Sequence, residues 1–243
     1  RRSDERGEWR LRPEMPERWT VQYAYREMRL RMRLGLTSFK HVGLFPEQAA
    51  NWEFIYDNCL RLRRADAAPR VLNLFAYTGG ATLAARAAGA DVTHVDSVKQ
   101  VVTWARENME ASGLAGVRWI VEDAMRFVER EARRGNVYDG IILDPPAFTK
   151  SRNSVKNAVK GYREINLRAM KLVRDGGFLA TCSCSHFMTY ELFTQTIHQA
   201  ARNVHKRLRQ VEYRTQAPDH PILWAAEESY YLKFYVFQVV DEK

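Results

Sequence analysis

From Met28 to Leu34, apolar residues and arginines alternate: Met28, Leu30, Met32 and Leu34 against Arg29, Arg31 and Arg33. A period of two is that of a strand with one apolar and one polar face. Residues 20–25 read as its partner strand. The arginine face has two readings, protection of a sheet edge and contact with phosphate. Ahead of this pair, residues 1–18 are polar, carry Pro13 and Pro16, and read as an arm with little core of its own. From Arg70 the pattern changes. Residues 71–75 form a nearly unbroken apolar run, as in a strand buried on both faces. The turn Thr78-Gly79-Gly80 follows, then an alanine-rich helix over 81–88 that Gly89 stops. Further strands are predicted at 92–95, 117–121, 141–143, 177–184, 208–213 and 231–240. Helices are predicted between them at 98–112, 124–133, 162–173 and 192–202. Such alternation predicts an α/β fold, a parallel sheet with helices on both faces, preceded by a small β-rich N-terminal extension. We place the division between residues 1–55 and 56–243.

In open α/β sheets ligands bind beyond the carboxyl ends of the strands, and the polar residues of interest sit there. Phe75-Ala76-Tyr77-Thr78-Gly79-Gly80 follows the first strand. Its glycines let the backbone approach a ligand and open a helix whose N-terminus favours negative groups. It matches neither GxGxxG nor the phosphate-binding GxxxxGK[ST] loop. Asp96, at the end of the second strand, is placed to accept both hydroxyls of a ribose. Asp123 and the backbone of Ala124, at the end of the third, are placed to read an adenine edge; capping the next helix is the other reading of each of these two acids, Asp96 and Asp123. Together these describe a nucleoside-shaped pocket without phosphate machinery, and S-adenosylmethionine is such a ligand. At the fourth strand end, Asp144-Pro145-Pro146-Ala147-Phe148 combines a carboxylate, rigid carbonyls and an aromatic face, which suits a flat heterocycle taken out of its stack. At the fifth, period two puts Cys182, Cys184 and His186 on one face if the strand runs that far. Three readings stand: packed structural thiols, part of a zinc site that lacks a second ligand cluster, or a nucleophilic thiolate facing Asp144. There is no GxSxG elbow of a hydrolase.

The formal charge is +9 over 243 residues, which favours acidic partners such as nucleic acid. Most of the surplus is local. Between Thr149 and Arg174, Lys150, Arg152, Lys156, Lys160, Arg163, Arg168, Lys171 and Arg174 face Glu164 as the one acid. This stretch reads as a loop and helix face, next to the Asp144 motif. No apolar run has the roughly 20 residues of a membrane span, and neither a membrane nor a metal is expected as a partner. Three cysteines, two of them in a CxC, are too few for a disulfide scaffold. A reducing, cytoplasmic compartment is expected. The chain begins Arg1-Arg2-Ser3 without an initiator methionine or an apolar leader and reads as a trimmed piece.

Residues 72–80 (LNLFAYTGG), 144–148 (DPPAF), 161–166 (GYREIN) and 183–185 (SCS) resemble the class I S-adenosylmethionine-dependent methyltransferases of bacterial large-subunit ribosomal RNA, most of all their cytosine-5 branch. The resemblance runs over residues 39–240 and implies a seven-stranded, Rossmann-like sheet, S-adenosylmethionine as cofactor and ribosomal RNA as partner. It implies that Cys184 adds to cytosine C6, so that C5 becomes nucleophilic enough to take the methyl group, and that Asp144 bonds the N3 edge. Cys182 is an additional thiol. The cofactor pocket would comprise Gln48, Phe75, Tyr77, Thr78, Gly79, Gly80, Asp96, Ser97, Asp123, Ala124, Asp144 and Pro145. Pro146, Phe148, Lys150 and Arg163 would meet the substrate, with Arg29, Arg31, Arg33 and the 150–174 stretch on phosphates. Relatives on the same scaffold methylate guanine N7 without a cysteine, so that acceptor, a protein or a small molecule is the alternative. Asp219-His220-Pro221 and Tyr231-Leu232-Lys233 are also family landmarks, with no physical role read for them. The RNA-binding module of the PUA type that such enzymes carry is not recognisable in residues 1–40.

Overall fold

The computed structural model describes residue 9 and residues 11–37, 41–149, 151–226 and 229–242. Strands β1 (Arg18–Tyr25) and β2 (Met28–Gly35) pair antiparallel. Helix α1 (Ala49–Leu62) follows a short 3-10 turn, Pro46–Gln48. Then come β3 (Arg70–Leu74), α2 (Gly80–Ala87), β4 (Asp91–Asp96), α3 (Lys99–Ala111), β5 (Val117–Val121), α4 (Ala124–Arg133) and β6 (Tyr138–Leu143). A 3-10 turn, Arg152–Ser154, leads into α5 (Val155–Leu172), followed by β7 (Val173–Ser183), α6 (Tyr190–Arg202), β8 (Lys206–Arg214) and β9 (Lys233–Asp241). The large sheet has seven strands in the order β5-β4-β3-β6-β7-β9-β8.

The sheet is mixed, which corrects the all-parallel expectation. β9 runs antiparallel to both β7 and β8. The reason is connectivity: α6 carries the chain over to β8, and the segment from β8 to β9 has no α-helix among its described residues, so β9 returns in the gap left beside β7. Among the described residues no helix is long and apolar enough to cross a membrane.

Two cores lie on the two faces. One joins α4, α5 and α6 to the sheet through Phe127, Tyr162, Ile165, Met170, Phe193 and Ile197. The other joins α1, α2 and the hairpin through Trp52, Ile55, Leu83, Ala84, Met28, Leu30 and Met32. The hairpin's apolar face is therefore part of the main body. Tyr23 and Tyr25 donate hydrogen bonds to Glu53 (2.6 Å) and Asp57 (2.9 Å) of α1.

α1 has no counterpart in the elements read from the pattern, and the division drawn between residues 55 and 56 falls inside it. Its signal was present: Trp52, Ile55, Tyr56 and Cys59, all buried, follow the i, i+3, i+4, i+7 spacing of an amphipathic helix. α5 starts at Val155, seven residues before the expected 162, so the basic stretch is mostly helix. Most of the arm (residues 1–8 and 10), Phe39, Lys40 and Lys150 lie outside the described residues.

Candidate active site

The loop after β3 turns sharply. Phe75 (φ 57°), Tyr77 (φ 48°) and Gly79 (φ 94°) all lie in the left-handed region. For Phe75 and Tyr77 this costs on the order of 1 kcal/mol each. The neighbours that hold the strain in place are hydrogen bonds from Ala76 N–H to Val95 O (3.1 Å) and from Tyr77 N–H to Asp96 Oδ2 (3.0 Å). Asp96 Oδ1 accepts from Val98 N–H (3.0 Å). Each carboxylate oxygen is thus fixed and keeps lone pairs toward solvent, while Ser97 beside it is exposed. Gly79 opens α2 with no side-chain cap, leaving the first N–H groups available.

A cavity above this turn is lined by Gln48, Asn51 and Trp52 on one side and by Asn73, Phe75, Tyr77, Gly79, Gly80 and Asp144 on the other. Asn51 Oδ1 and Asn73 Oδ1 are buried without a partner. Orphaned acceptors, a carboxylate and an uncapped helix N-terminus on one cavity fit a zwitterion: ammonium to the oxygens, carboxylate to the N–H groups. This is the donor set that the methionine end of S-adenosylmethionine requires. Asp96 and Asp123 lie beside this cavity rather than in its lining, at the ends of the adjacent strands β4 and β5. Asp123 caps α4, its Oδ1 accepting from Arg126 N–H (3.0 Å), and Ala124 behind it is buried. The capping reading of Asp123 therefore holds, with Oδ2 left over for other use.

Gly80 has a packing role that the sequence does not show. A Cβ there would stand 2.5 Å from Trp52 Cε2 of α1. Gly80→Ala is therefore expected to push α1 off the sheet and cost about 1–3 kcal/mol, read as a lower melting temperature. Trp52→Leu in the same chain should restore part of it. An unchanged melt would mean that the cavity wall yields freely.

The strand-five motif resolves into two different thiols. Cys182 is fully buried, and its Sγ–H donates to Asp144 Oδ1 (2.8 Å). Burial, then the Asp144 charge, push this thiol far up, so it stays protonated. Cys184 is partly exposed, with Sγ 3.9 Å from the Pro145 carbonyl. Burial and the Asp144 charge push it up to about 11. β7 ends at Ser183, so Cys184 and His186 lie beyond the strand and the three do not share a strand face. Asp144 is partly buried between Cys182 and Gln48 Nε2, which donates to Oδ2 (3.0 Å). Burial outweighs the Cys182 hydrogen bond and raises this carboxyl to about 6.

Phe148 does not stand free at the lip. It packs on Tyr162 (4.7 Å) and Phe75 (6.4 Å), and Tyr162 accepts a hydrogen bond from Ser183 Oγ (3.0 Å) behind the cysteines. The expected open stacking face is spent on this aromatic cluster, while Pro145 is buried and Pro146 exposed. Thr78 lines the cavity as well, and its hydroxyl donates to Gly43 O (2.7 Å), tying the lead-in segment to the turn. Arg163 is half-buried on α5.

The arginine face is mostly engaged. Arg33 pairs with Glu107 (2.9 Å), and Arg29 folds onto the backbone carbonyls of Arg26 and Met28. The outer edge of β2 is covered by α3: Ser112 Oγ accepts from Arg31 N–H and Asn108 Oδ1 from Arg33 N–H, both at 2.8 Å. Within the basic stretch, Arg168 pairs with Glu129 and Glu164, and Arg174 with Asp139. Arg152, Lys156 and Lys160 are exposed, four residues apart, and in no ion pair among the described residues.

Several groups at the site were not read from the sequence. Glu47 receives the Ala217 N–H (3.1 Å) at its carbonyl and the Tyr231 hydroxyl (3.1 Å) at its carboxylate, and it faces His220 (3.7 Å). The two unexplained landmarks thus anchor the long β8–β9 segment next to Gln48. That segment carries Trp224 fully exposed. Lys233 is buried, with Nζ donating to Ser185 O (2.7 Å). Asn108 bridges β2 to the cofactor turn, its Nδ2 donating to Thr78 O (2.9 Å). These contacts span long sequence separations, and no local pattern signals them.

Comparison with known proteins agrees with this geometry. Ribosomal RNA large subunit methyltransferase I of Klebsiella pneumoniae is 35% identical over 187 residues, 76% of this chain and 47% of that protein. Its Escherichia coli counterpart is 34% identical over the same span. The chain spans about half the length of these relatives. A SAM-dependent methyltransferase structure from Agrobacterium tumefaciens superposes with TM-score 0.74 at 29% identity, covering 97% of this chain and 75% of that one. A Streptococcus mutans structure shares the fold with TM-score 0.77 at 23% identity, over 93% of this chain and 56% of that one. The family model described as S-adenosylmethionine-dependent methyltransferase matches residues 1–234, and the chain belongs to that family.

Proposed function

We propose that the chain methylates a base in RNA, carbon 5 of cytosine in large-subunit ribosomal RNA, through a covalent adduct to Cys184. One observation carries the reading: the partly exposed thiol of Cys184 sits over the Pro145 carbonyl, at the lip next to Asp144, which itself lines the cofactor cavity. The relatives named as ribosomal RNA methyltransferases support the substrate class.

S-adenosylmethionine supplies an electrophilic methyl group. The α2 N-terminus at Gly79 and Gly80 would hold its carboxylate, Asn51 and Asn73 its ammonium, Asp96 its ribose and Asp123 its adenine edge. Gln48 would hold Asp144 in place through the hydrogen bond to Oδ2. Cytosine C5 is a weak nucleophile. A Cys184 thiolate that bonds to C6 pushes the ring's electron pair toward C5. Asp144, raised to about 6, keeps a protonated fraction near neutral pH and so can donate to N3 as charge builds on the ring. After transfer, a solvent base takes the C5 proton, the C–H electron pair restores the C5–C6 double bond, and the thiolate leaves with the C6–S pair. Arg152, Lys156 and Lys160, on the turn and helix that follow the Asp144 motif in the chain, would contact phosphates. Trp224, on the segment anchored at Glu47, would offer a stacking face.

The test is methyl transfer from tritiated S-adenosylmethionine to undermodified ribosomal RNA, with the labelled nucleoside identified after digestion. Label in 5-methylcytidine is the expected result. Label in 7-methylguanosine would keep the cofactor site and overturn the cysteine adduct. Label in no nucleoside, with cofactor binding intact, would overturn RNA as the acceptor of this chain.

A further inference from the structure

Asn73 of β3, Thr82 of α2 and His94 of β4 are all buried and form one hydrogen-bonded row. Asn73 and His94 are register partners on adjacent parallel strands. Thr82 lies in the first turn of the helix that opens at Gly80. Its Oγ1 is 2.9 Å from Asn73 Nδ2 and 2.9 Å from His94 Nδ1. Of the three, Asn73 lines the cofactor cavity, and its Oδ1 has no partner.

The row has a direction. Burial lowers His94 to about 3, so its ring is neutral and one ring nitrogen is free to accept. Thr82 has a single hydroxyl proton. Donated to His94 Nδ1, it leaves only lone pairs on Oγ1, and these accept the amide N–H of Asn73. The two ends of an asparagine amide are nearly alike in shape, so packing alone does not choose between them. Hydrogen bonding does, and here it spends Nδ2 on Thr82 and leaves Oδ1 over. The other asparagine of the cavity is set in the same sense. Asn51 Nδ2 donates to Gln48 Oε1 (2.7 Å), and Asn51 Oδ1 is likewise without a partner. Two spare acceptors on one cavity suit a cation.

Resting on the assignment of Asn73 to the cofactor's ammonium, we propose that Thr82 and His94 are positioning residues, which fix the Asn73 amide with its oxygen toward the amino-acid end of S-adenosylmethionine. Neither touches the cofactor. Without the hydroxyl, Nδ2 loses its acceptor and the amide is free to turn over. Its N–H groups would then face an ammonium, which has donors only. The helix α2 thus serves the amino-acid end twice, at its N-terminus for the carboxylate and through Thr82 for the ammonium. The adenosine end, assigned to Asp96 and Asp123, is independent of the row.

The experiment is calorimetric binding of two ligands in the absence of RNA. S-adenosylhomocysteine has the amino-acid end, and methylthioadenosine lacks it. Thr82→Val keeps the side chain's shape and removes the hydroxyl. It should weaken S-adenosylhomocysteine about 10-fold to 100-fold, the worth of a hydrogen bond to a charged group. Methylthioadenosine should change by less than about two-fold. Thr82→Ser regains the hydroxyl and should restore the affinity. Equal losses for both ligands in Thr82→Val, no loss for either, or a serine variant that behaves like the valine one would overturn the proposal. A second readout needs no ligand. Nitrogen-15 shifts of the histidine-labelled chain, with His94→Gln to assign the signal, should place the ring proton of His94 on Nε2. A proton on Nδ1 would reverse the row and overturn the proposal. If Thr82→Val fails to fold by circular dichroism, Thr82→Ala removes the same hydroxyl and decides it. Asn73→Ala separates this role from the assignment it rests on. A selective loss of S-adenosylhomocysteine there, beside an unmoved Thr82→Val, sinks the positioning role alone. An unmoved Asn73→Ala sinks the ammonium site and the positioning role together.

Discussion

Cys184→Ala is expected to abolish label in 5-methylcytidine, a loss on the order of 10⁴-fold or more, with the melting temperature and cofactor affinity nearly unchanged. The loss is large because cytosine C5 has no alternative route to a nucleophilic carbon. The fold should not notice the change. Cys184 is partly exposed, and its thiol makes only the long 3.9 Å contact to Pro145 O. Cys182→Ala makes the informative contrast. That thiol is fully buried and donates to Asp144, so its removal empties a small volume and strips a partner from the carboxylate. It should cost about 1–2 kcal/mol of stability and reduce the rate in part. If Cys182→Ala were the silent enzyme and Cys184→Ala the active one, the nucleophile would be misassigned.

Asp144→Asn is expected to lower methyl transfer by about 10²–10³-fold and, at the same time, to stabilise the fold above neutral pH. The two effects have one cause. Burial raises this carboxyl from 3.8 to about 6, so the fold tolerates the charge poorly. An acid with a raised folded pKa carries no penalty below about pH 4, where it is protonated in both states. The penalty builds as pH rises through about 6 and is complete above that. The asparagine variant should therefore melt with the unaltered chain at pH 4. By pH 8 it should be about 1–2 kcal/mol more stable, a few degrees in melting temperature. Melts of both proteins across this range, beside the transfer assay, check it. Equal melts at pH 8 would mean that the hydrogen bonds from Cys182 and Gln48 offset the burial in full. Equal activity would reduce Asp144 to a structural cap.

Much of this protein is legible in its amino-acid order. The period of two over 28–34 determines a strand, and the structure buries Met28, Leu30 and Met32 on one side of it. The short apolar runs with glycine, Asp96, Asp123 and Asp144 at their ends determine a sheet with its polar residues at one edge. This follows because chain direction in parallel strands brings all carboxyl ends to the same side. Local spacing carries that information, since side-chain direction along a strand or helix depends on neighbours a few residues away.

What local spacing does not carry is which groups meet. Period two placed Cys182 and Cys184 alike, yet the strand ends between them, and one thiol is buried on Asp144 while the other faces the lip. The arginines of β2 look free in sequence, and only the docking of α3 shows Arg33 spent on Glu107. Phe148 looks like a stacking face until Tyr162 packs against it. Glu47 meets Tyr231, and Lys233 meets Ser185, across separations of 184 and 48 residues. Burial, and with it the shifts at Asp144 and Cys184, is a property of the assembled layers. It depends on how much water the neighbours exclude, and those neighbours come from elements far apart in the chain.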